Sequence, residues 1–340
     1  MGQGKLKIIS IGLLSGGLDS ILAVKVIQEL GIEVIGIAFE TPFFSAGKAI
    51  KAAEELGIRL IVKDITNEHL EMLRKPKYGF GANMNPCIDC HALMVREAGK
   101  IMEDEEYHFV FTGEVLNERP MSQNRKALKI VANLSGYQDF LLRPLSARLL
   151  PETKAEKYGL IDRRSLLNIQ GRSRKLQLLL VKKYGIKEFP NPGGGCLLTD
   201  PIYSKKLKEL FENSEDYSIR DIELLKLGRH FRIQGKKVII GRNKEENQKL
   251  KEMAGAKDTA LSAEHVPGPI ALICDSTSKR IMKKAAGICV RFSDAKNEKL
   301  LPVIYRLGKK NEEITPEEIN EEKIEELRIN PEATVAKRDT

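Results

Sequence analysis

Three groups of residues in this sequence have types and spacings that could do chemistry. The first is Leu14-Ser15-Gly16-Gly17-Leu18-Asp19-Ser20, between an apolar run and a stretch with helical patterning. Gly16 and Gly17 let the backbone approach a phosphate, Ser15 and Ser20 offer hydroxyls, and a helix N-terminus adds N–H donors and partial positive charge. Asp19 opens that helix and could help hold a magnesium ion. The string lacks a Gly-Lys-Ser/Thr end and is not G-x-G-x-x-G. Taken alone, it also fits a strand–turn–helix with glycine there only for geometry. The second group is cysteine: Cys87-Ile88-Asp89-Cys90 ahead of a helix beginning near His91, and Cys196 behind Gly193-Gly194-Gly195. A helix N-terminus favours thiolates, and three consecutive glycines cost enough chain entropy to suggest a close approach. A disulfide, a zinc site with His91 as fourth ligand, separate buried thiols, or a [4Fe–4S] cluster on three cysteines with one iron open all remain possible. Cys274 and Cys289 lie in apolar runs and read as core. The third group is basic: Arg229, Arg232, Lys236, Lys237 and Arg242 cluster about one expected hairpin with His230 and Phe231 as stacking faces. The same hairpin could instead turn Phe231 into its own core. Arg119, Arg125, Arg172, Arg174 and Lys175 are further candidates for phosphate contact.

The elements that must position these groups follow from periodicity. Residues 5–14, 33–40, 59–65, 108–114 and 139–145 are apolar runs that predict strands. Residues 19–30, 46–56 and 90–105 have helical spacing, two of them closed by Gly31 and Gly57. Strands alternating with helices predict an α/β unit with a parallel sheet covered by helices on both faces. The pattern changes near residue 202. A helix at 204–212, a hairpin over 230–241 about Gly235, strands at 269–275 and 287–292, and a helix at 316–328 behind Thr315-Pro316-x-Glu318 predict a smaller α+β domain. Domains are expected at 1–202 and 203–340.

Composition narrows the class. The 340 residues are 42% hydrophobic and 30% charged, as in a soluble globular protein, and exceed what one core usually serves. The net charge is +9; residues 309–340 hold ten acidic and six basic residues, so residues 1–308 carry +13. A basic body suggests a polyanionic partner, RNA first. No stretch approaches the roughly 20 apolar residues of a membrane helix. The N-terminal apolar run leads into the glycine loop without a cleavage site, and Leu6 stands where a myristoylation signal needs Ser or Thr. Five cysteines are too few for a disulfide scaffold and fit a reducing, cytoplasmic compartment.

Ser15-Gly16-Gly17-x-Asp19-Ser20 after a buried strand resembles the PP-loop of the N-type ATP pyrophosphatases. Together with Thr112-Gly113-Glu114-Val115-Leu116, Ser122-Gln123 and Arg143-Pro144-Leu145, it resembles the tRNA 4-thiouridine synthetases, the blocks coming in order over residues 8–200. No rhodanese-like extension and no room for N-terminal ferredoxin-like and THUMP modules is expected, so the chain is most similar to the minimal, iron–sulfur-dependent branch. Leu227-Gly228-Arg229-His230-Phe231-Arg232 and Ile240-Gly241-Arg242-Asn243 resemble NFACT-R type RNA-binding domains.

The resemblance implies a PP-loop ATP pyrophosphatase fold and a tRNA sulfurtransferase that makes 4-thiouridine at position 8. ATP and Mg2+ would act at Leu13, Leu14, Ser15, Gly16, Gly17, Asp19 and Ser20, with Ala38 and Phe39 bordering the adenine and Gly113 and Gln123 completing the pocket. Cys87, Cys90 and Cys196 would hold a [4Fe–4S] cluster with an open iron, and Asp89 would be the acid or base, with His91 the runner-up. The implied partners are tRNA and sulfide or another sulfur donor, with no membrane; a homodimer is compatible. Two other readings stand beside this one: a PP-loop thiolase making a 2-thio base at another tRNA position, and a metal-containing RNA-binding protein with a degenerate ATP site.

Overall fold

The computed structural model describes residues 7–190, 195–263, 266–275, 277–294, 302–307 and 310–329. Gly193 and Gly194, ahead of Cys196, lie outside the described residues. The chain divides into two compact units, Met1–Thr199 and Asp200–Thr340.

The first unit runs β1 (Ile9–Leu13), α1 (Leu18–Glu29), β2 (Glu33–Glu40), α2 (Gly47–Leu56), β3 (Arg59–Asp64), α3 (Thr66–Arg74), α4 (Cys87–Asp104), β4 (Phe109–Thr112), α5 (Arg125–Ser135), β5 (Leu141–Leu142), α6 (Lys154–Lys157) and α7 (Lys175–Tyr184). Its five strands lie in the order β3-β2-β1-β4-β5, all parallel. Side chains alternate between two cores. Val34 and Ala38 of β2 and Phe109 and Phe111 of β4 face α1 and α2. Ile37 and Phe39 of β2 and Val110 of β4 face α4 and α5. Helices therefore cover both faces, as the near-continuous apolar strands require. The order reverses between β2 and β4 about the central β1, which opens a crevice beyond the carboxyl ends of the strands.

The second unit runs α8 (Pro201–Asn213), α9 (Ile219–Leu224), β6 (Arg229–Ile233), β7 (Lys236–Ile240), α10 (Lys244–Glu252), β8 (Thr259–Ala263), β9 (Ile270–Ile273), α11 (Lys279–Arg291), β10 (Val303–Leu307), β11 (Lys310–Ile314) and α12 (Glu321–Leu327). Its sheet is antiparallel, in the order β11-β10-β8-β9-β7-β6. The hairpin forms where the sequence places it: Gln234 and Gly235, with φ of 48° and 80°, make the two-residue turn between β6 and β7.

Two expected elements fail. The strand at 287–292 is instead the last part of α11, whose buried Ile281, Met282, Ala285, Ala286, Ile288 and Cys289 follow helical spacing. A short apolar run reads equally well as either, and the upstream periodicity decides. The helix expected over 316–328 begins only at Glu321, capped by Asn320, whose Oδ1 accepts from the Lys323 amide at 2.9 Å. The Glu317 amide donates to the Lys283 carbonyl at 3.0 Å, so α11 captures the segment that Thr315-Pro316 would have wound. The fifth strand shrinks to Leu141–Leu142.

Candidate active site

The phosphate loop sits where β1 ends. The Leu14 amide extends the ladder to the Ile37 carbonyl at 2.8 Å, and the chain then turns into α1. Gly16 holds a φ of +71°, which glycine adopts without strain. Gly17 is the N-cap; the Ser20 hydroxyl donates to its carbonyl at 2.7 Å, and the Ser15 hydroxyl accepts from its amide at 3.3 Å. Leu14, Ala38 and Phe39 are buried in the cores, so only their backbones can border a nucleotide. Gln123 closes the following loop: its Oε1 accepts from the Arg119 amide at 3.2 Å and its carbonyl from the Asn117 amide at 2.7 Å.

A charged cluster that no motif announces gathers on Asp19. Burial raises its carboxyl pKa, while Arg174, Gln177 and Arg119 pull it back. Arg119 and Arg174, expected to meet RNA, are therefore neighbours of the phosphate loop. Gln177 is 0% exposed, and neither of its amide atoms closes a hydrogen bond; Asp19 Oδ1 and Arg174 Nε are likewise buried without a partner. Buried polar atoms left open in this way are ready to meet a ligand. Glu118 lies against Asp19, and burial together with that like charge pushes its carboxyl up to about 7.

The Thr112-Gly113-Glu114 segment ties this loop to the cysteines. A Cβ on Gly113 would stand 2.6 Å from the Asp19 backbone, so only glycine lets the end of β4 pack on the start of α1. Glu114 then accepts from Arg143 Nε at 2.8 Å and from the Thr112 hydroxyl at 3.0 Å, and meets His91 Nδ1 at 2.9 Å. Burial alone would raise the Glu114 carboxyl; the Arg143 guanidinium and the His91 hydrogen bond outweigh it and hold the group well below the usual carboxylate range.

The three cysteines converge at the N-terminus of α4. The Leu197 amide donates to the Phe43 carbonyl at 2.9 Å and Asn83 Nδ2 to the Thr199 carbonyl at 2.8 Å, which brings Cys196 beside the helix start. Burial, then the neighbouring Cys196 and Cys87, push the Cys90 thiol far up; burial, then Cys87, push Cys196 up to about 11. All three thiols are free. Cys87 Sγ accepts from Asn85 Nδ2 at 3.2 Å. The histidine at the thiols is His69 of α3, which sequence reading misses, not His91: its Nε2 stands 3.5 Å from Cys90 Sγ, its ring packs against Phe43 and Phe44, and it is 0% exposed. Burial lowers its pKa to about 4, so the ring is neutral. Among the described residues no group of three or more His, Cys, Asp or Glu side chains forms a closed ligand set. The donor chemistry nevertheless fits a thiolate-held metal group: three free thiols side by side, with the nearby carboxylate turned elsewhere. That carboxylate is Asp89, 5% exposed, whose two oxygens accept the Lys77 and Tyr78 amides at 2.9 and 3.0 Å. Asp89 therefore organises the loop before α4 and has no oxygen free toward the thiols.

In the second unit the expected RNA face is corrected. Phe231 is 0% exposed and His230 1%, because both side chains enter the core beneath the sheet. Lys237 is 7% exposed, and burial lowers its pKa. Arg232 pairs with Glu209, Arg242 with Glu246, and Arg229 lies over the Phe292 ring at 4.7 Å. Lys236, Arg172 and Lys175 keep accessible side chains, as does Arg125, whose Nη1 also donates to the Leu149 carbonyl at 2.9 Å. Cys274 and Cys289 are buried as expected, Cys289 from a helix. No helix among the described residues is long and apolar enough to cross a membrane.

Comparison with known families matches residues 7–148 to the thiamine biosynthesis protein (ThiI) family and residues 228–328 to the NFACT protein RNA binding domain. No curated protein matches the chain. Among solved structures, the C-terminal part of the fibronectin/fibrinogen-binding protein from Streptococcus suis is 14% identical, with a TM-score of 0.28, over 71% of this chain and 94% of that one. A predicted subunit of tRNA methyltransferase from Methanocaldococcus jannaschii is 20% identical, with a TM-score of 0.31, over 41% and 69%. A 4-thiouridine synthetase solved with RNA and bound ATP is 25% identical, with a TM-score of 0.32, over 40% of this chain and 36% of that one. Over residues 7–148 the chain belongs to the ThiI family, with its PP-loop, and over residues 228–328 it carries an RNA-binding domain of the NFACT type.

Proposed function

We propose that this protein is an ATP-dependent tRNA sulfurtransferase that adenylates a uridine carbonyl and replaces its oxygen with sulfur, giving 4-thiouridine at position 8. One observation carries the reading: the 112–114 segment packs its glycine on the phosphate loop and reaches with Glu114 to the helix that presents Cys87 and Cys90. An activating site and a sulfur site are thereby held on one rigid segment.

The residues divide the work. The amides of Gly16 and Gly17, the Ser15 and Ser20 hydroxyls and the start of α1 bind the phosphates of ATP. Arg119 and Arg174 neutralise charge on the departing pyrophosphate, and Asp19 would hold a magnesium ion. The uridine O4 attacks the α-phosphate and pyrophosphate leaves; sulfide sulfur then bonds to C4 and AMP leaves with the former O4. Cys87, Cys90 and Cys196 would hold a [4Fe–4S] cluster, and an open iron on it supplies a Lewis-acid seat for sulfide. Glu118, with its raised pKa, is placed to accept or return a proton beside Asp19. The NFACT-type domain brings the RNA.

The test is anaerobic purification followed by reaction with tRNA, ATP and sulfide. The expected outcome is brown, iron-containing protein that releases AMP and pyrophosphate and yields 4-thiouridine on nucleoside analysis. Cys87→Ala, Cys90→Ala and Cys196→Ala should each lose colour and thiolation together while still binding ATP; Cys274→Ala should keep both. Zinc without iron and full thiolation would replace the cluster with a persulfide on one of the three cysteines. A 2-thio product would move the target position, and no AMP release would leave an RNA-binding protein.

A further inference from the structure

The segment joining α3 to α4, Lys75-Pro76-Lys77-Tyr78-Gly79-Phe80, takes part in none of the steps above. It nevertheless exposes two aromatic rings beside the cysteines. We propose that Tyr78 and Phe80, flanked by Lys75 and Lys77, bind an unstacked nucleotide of the substrate RNA next to Cys87 and Cys90. This rests on the reading above and names how its RNA is seated.

Tyr78 is 43% and Phe80 40% exposed, and neither belongs to a core. Large rings with that much open face, two within three residues, are costly to leave in water unless something covers them. The segment is anchored on both sides to the cysteine helix. On one side the buried Asp89 takes the Lys77 and Tyr78 amides. On the other, the Gly81 amide donates to the Asn85 carbonyl at 3.0 Å, and the Asn85 side chain reaches Cys87 Sγ at 3.2 Å. Both anchors end on residues 87–89, so the rings keep a fixed place relative to the thiols. Asp89, lodged between the two cysteines, thereby gains a purpose in holding the platform.

The chemistry of the segment selects the occupant. Lys75 and Lys77 are exposed, and among the described residues neither forms an ion pair. Lys77 Nζ lies 5.9 Å from the Tyr78 ring centroid. No acidic residue occurs from Lys75 to Ile88. Aromatic faces interleaved with cations suit a single-stranded nucleic acid, whose bases stack and whose phosphates are neutralised. Reaction at C4 of a uridine also requires a base drawn out of its stack, which leaves base faces that need a surface.

The experiment uses full-length anaerobic protein and an unmodified tRNA transcript. Tyr78→Ala and Phe80→Ala should each raise KM and Kd for tRNA by roughly 5- to 150-fold, the range of one lost base–aromatic stack. ATP binding and iron content should be unchanged. Tyr78→Leu and Phe80→Leu keep apolar bulk without a π-face and should weaken tRNA equally, whereas Tyr78→Phe and Phe80→Tyr should bind like the parent. Lys75→Gln and Lys77→Gln should each flatten the salt dependence of binding by about one unit. Leucine or alanine variants that bind and thiolate tRNA as well as the parent would overturn the proposal and leave the sulfurtransferase reading intact. A parent protein that neither binds nor modifies tRNA would sink that reading instead.

Discussion

Glu114 and Glu118 show how one loop uses the same side chain in opposite ways. Glu114 faces Arg143, itself 7% exposed, so Glu114→Gln leaves a buried guanidinium without its counter-charge. The expected loss is about 3 kcal/mol, read by denaturant unfolding. Gly113→Ala should leave the fold largely intact but abolish pyrophosphate release, because the added carbon meets backbone that cannot move aside. Glu118 has a folded pKa of about 7, above its usual 4.5. The folded state therefore holds its proton more tightly, and stability falls as pH rises from about 4.5 through 7. Glu118→Gln should stabilise the ligand-free protein at pH 8 by about 1 kcal/mol, allowing for solvent screening at a half-buried site. At pH 4.5 the difference should close. Melting at both pH values checks it, and an equal gain at each would assign the effect to packing.

At the scale of elements, the β6–β7 hairpin illustrates why a basic run is not yet a binding face. Its turn was legible, because Gln234-Gly235 sits between two alternating runs. Which cations reach water was not, since Glu209 and Glu246 arrive from helices elsewhere in sequence. Lys236→Ala should flatten the salt slope of tRNA binding by about one unit, while Lys237→Ala should leave the slope unchanged and act only on stability. Equal slope changes in filter binding over a salt series would return Lys237 to the surface. Helix α11 carries the same lesson: its residues 287–292 have strand-like composition, and only the upstream turns make them helix.

At the scale of the molecule, each compact unit has its own core, two faces of a parallel sheet in one and the underside of an antiparallel sheet in the other. Phe231→Ala should therefore cost about 3–5 kcal/mol in the second unit only. Calorimetry should show one transition lowered, with ATP binding in the first unit preserved; loss of both together would mean the cores unfold as one. The parallel sheet, the strand–loop–helix at Ser15–Ser20 and the cysteine-led helix were determined by sequence alone. Each depends on local signals: apolar periodicity, paired glycines, and a polar residue opening a helix. Tertiary structure alone decided that Arg119 and Arg174 belong to Asp19, that His69 rather than His91 meets the thiols, and that Asp89 binds a loop. It also buried Phe231 and Lys237. These outcomes depend on residues far apart in the chain that meet only when the layers close, and on the burial that closure imposes, which no spacing records.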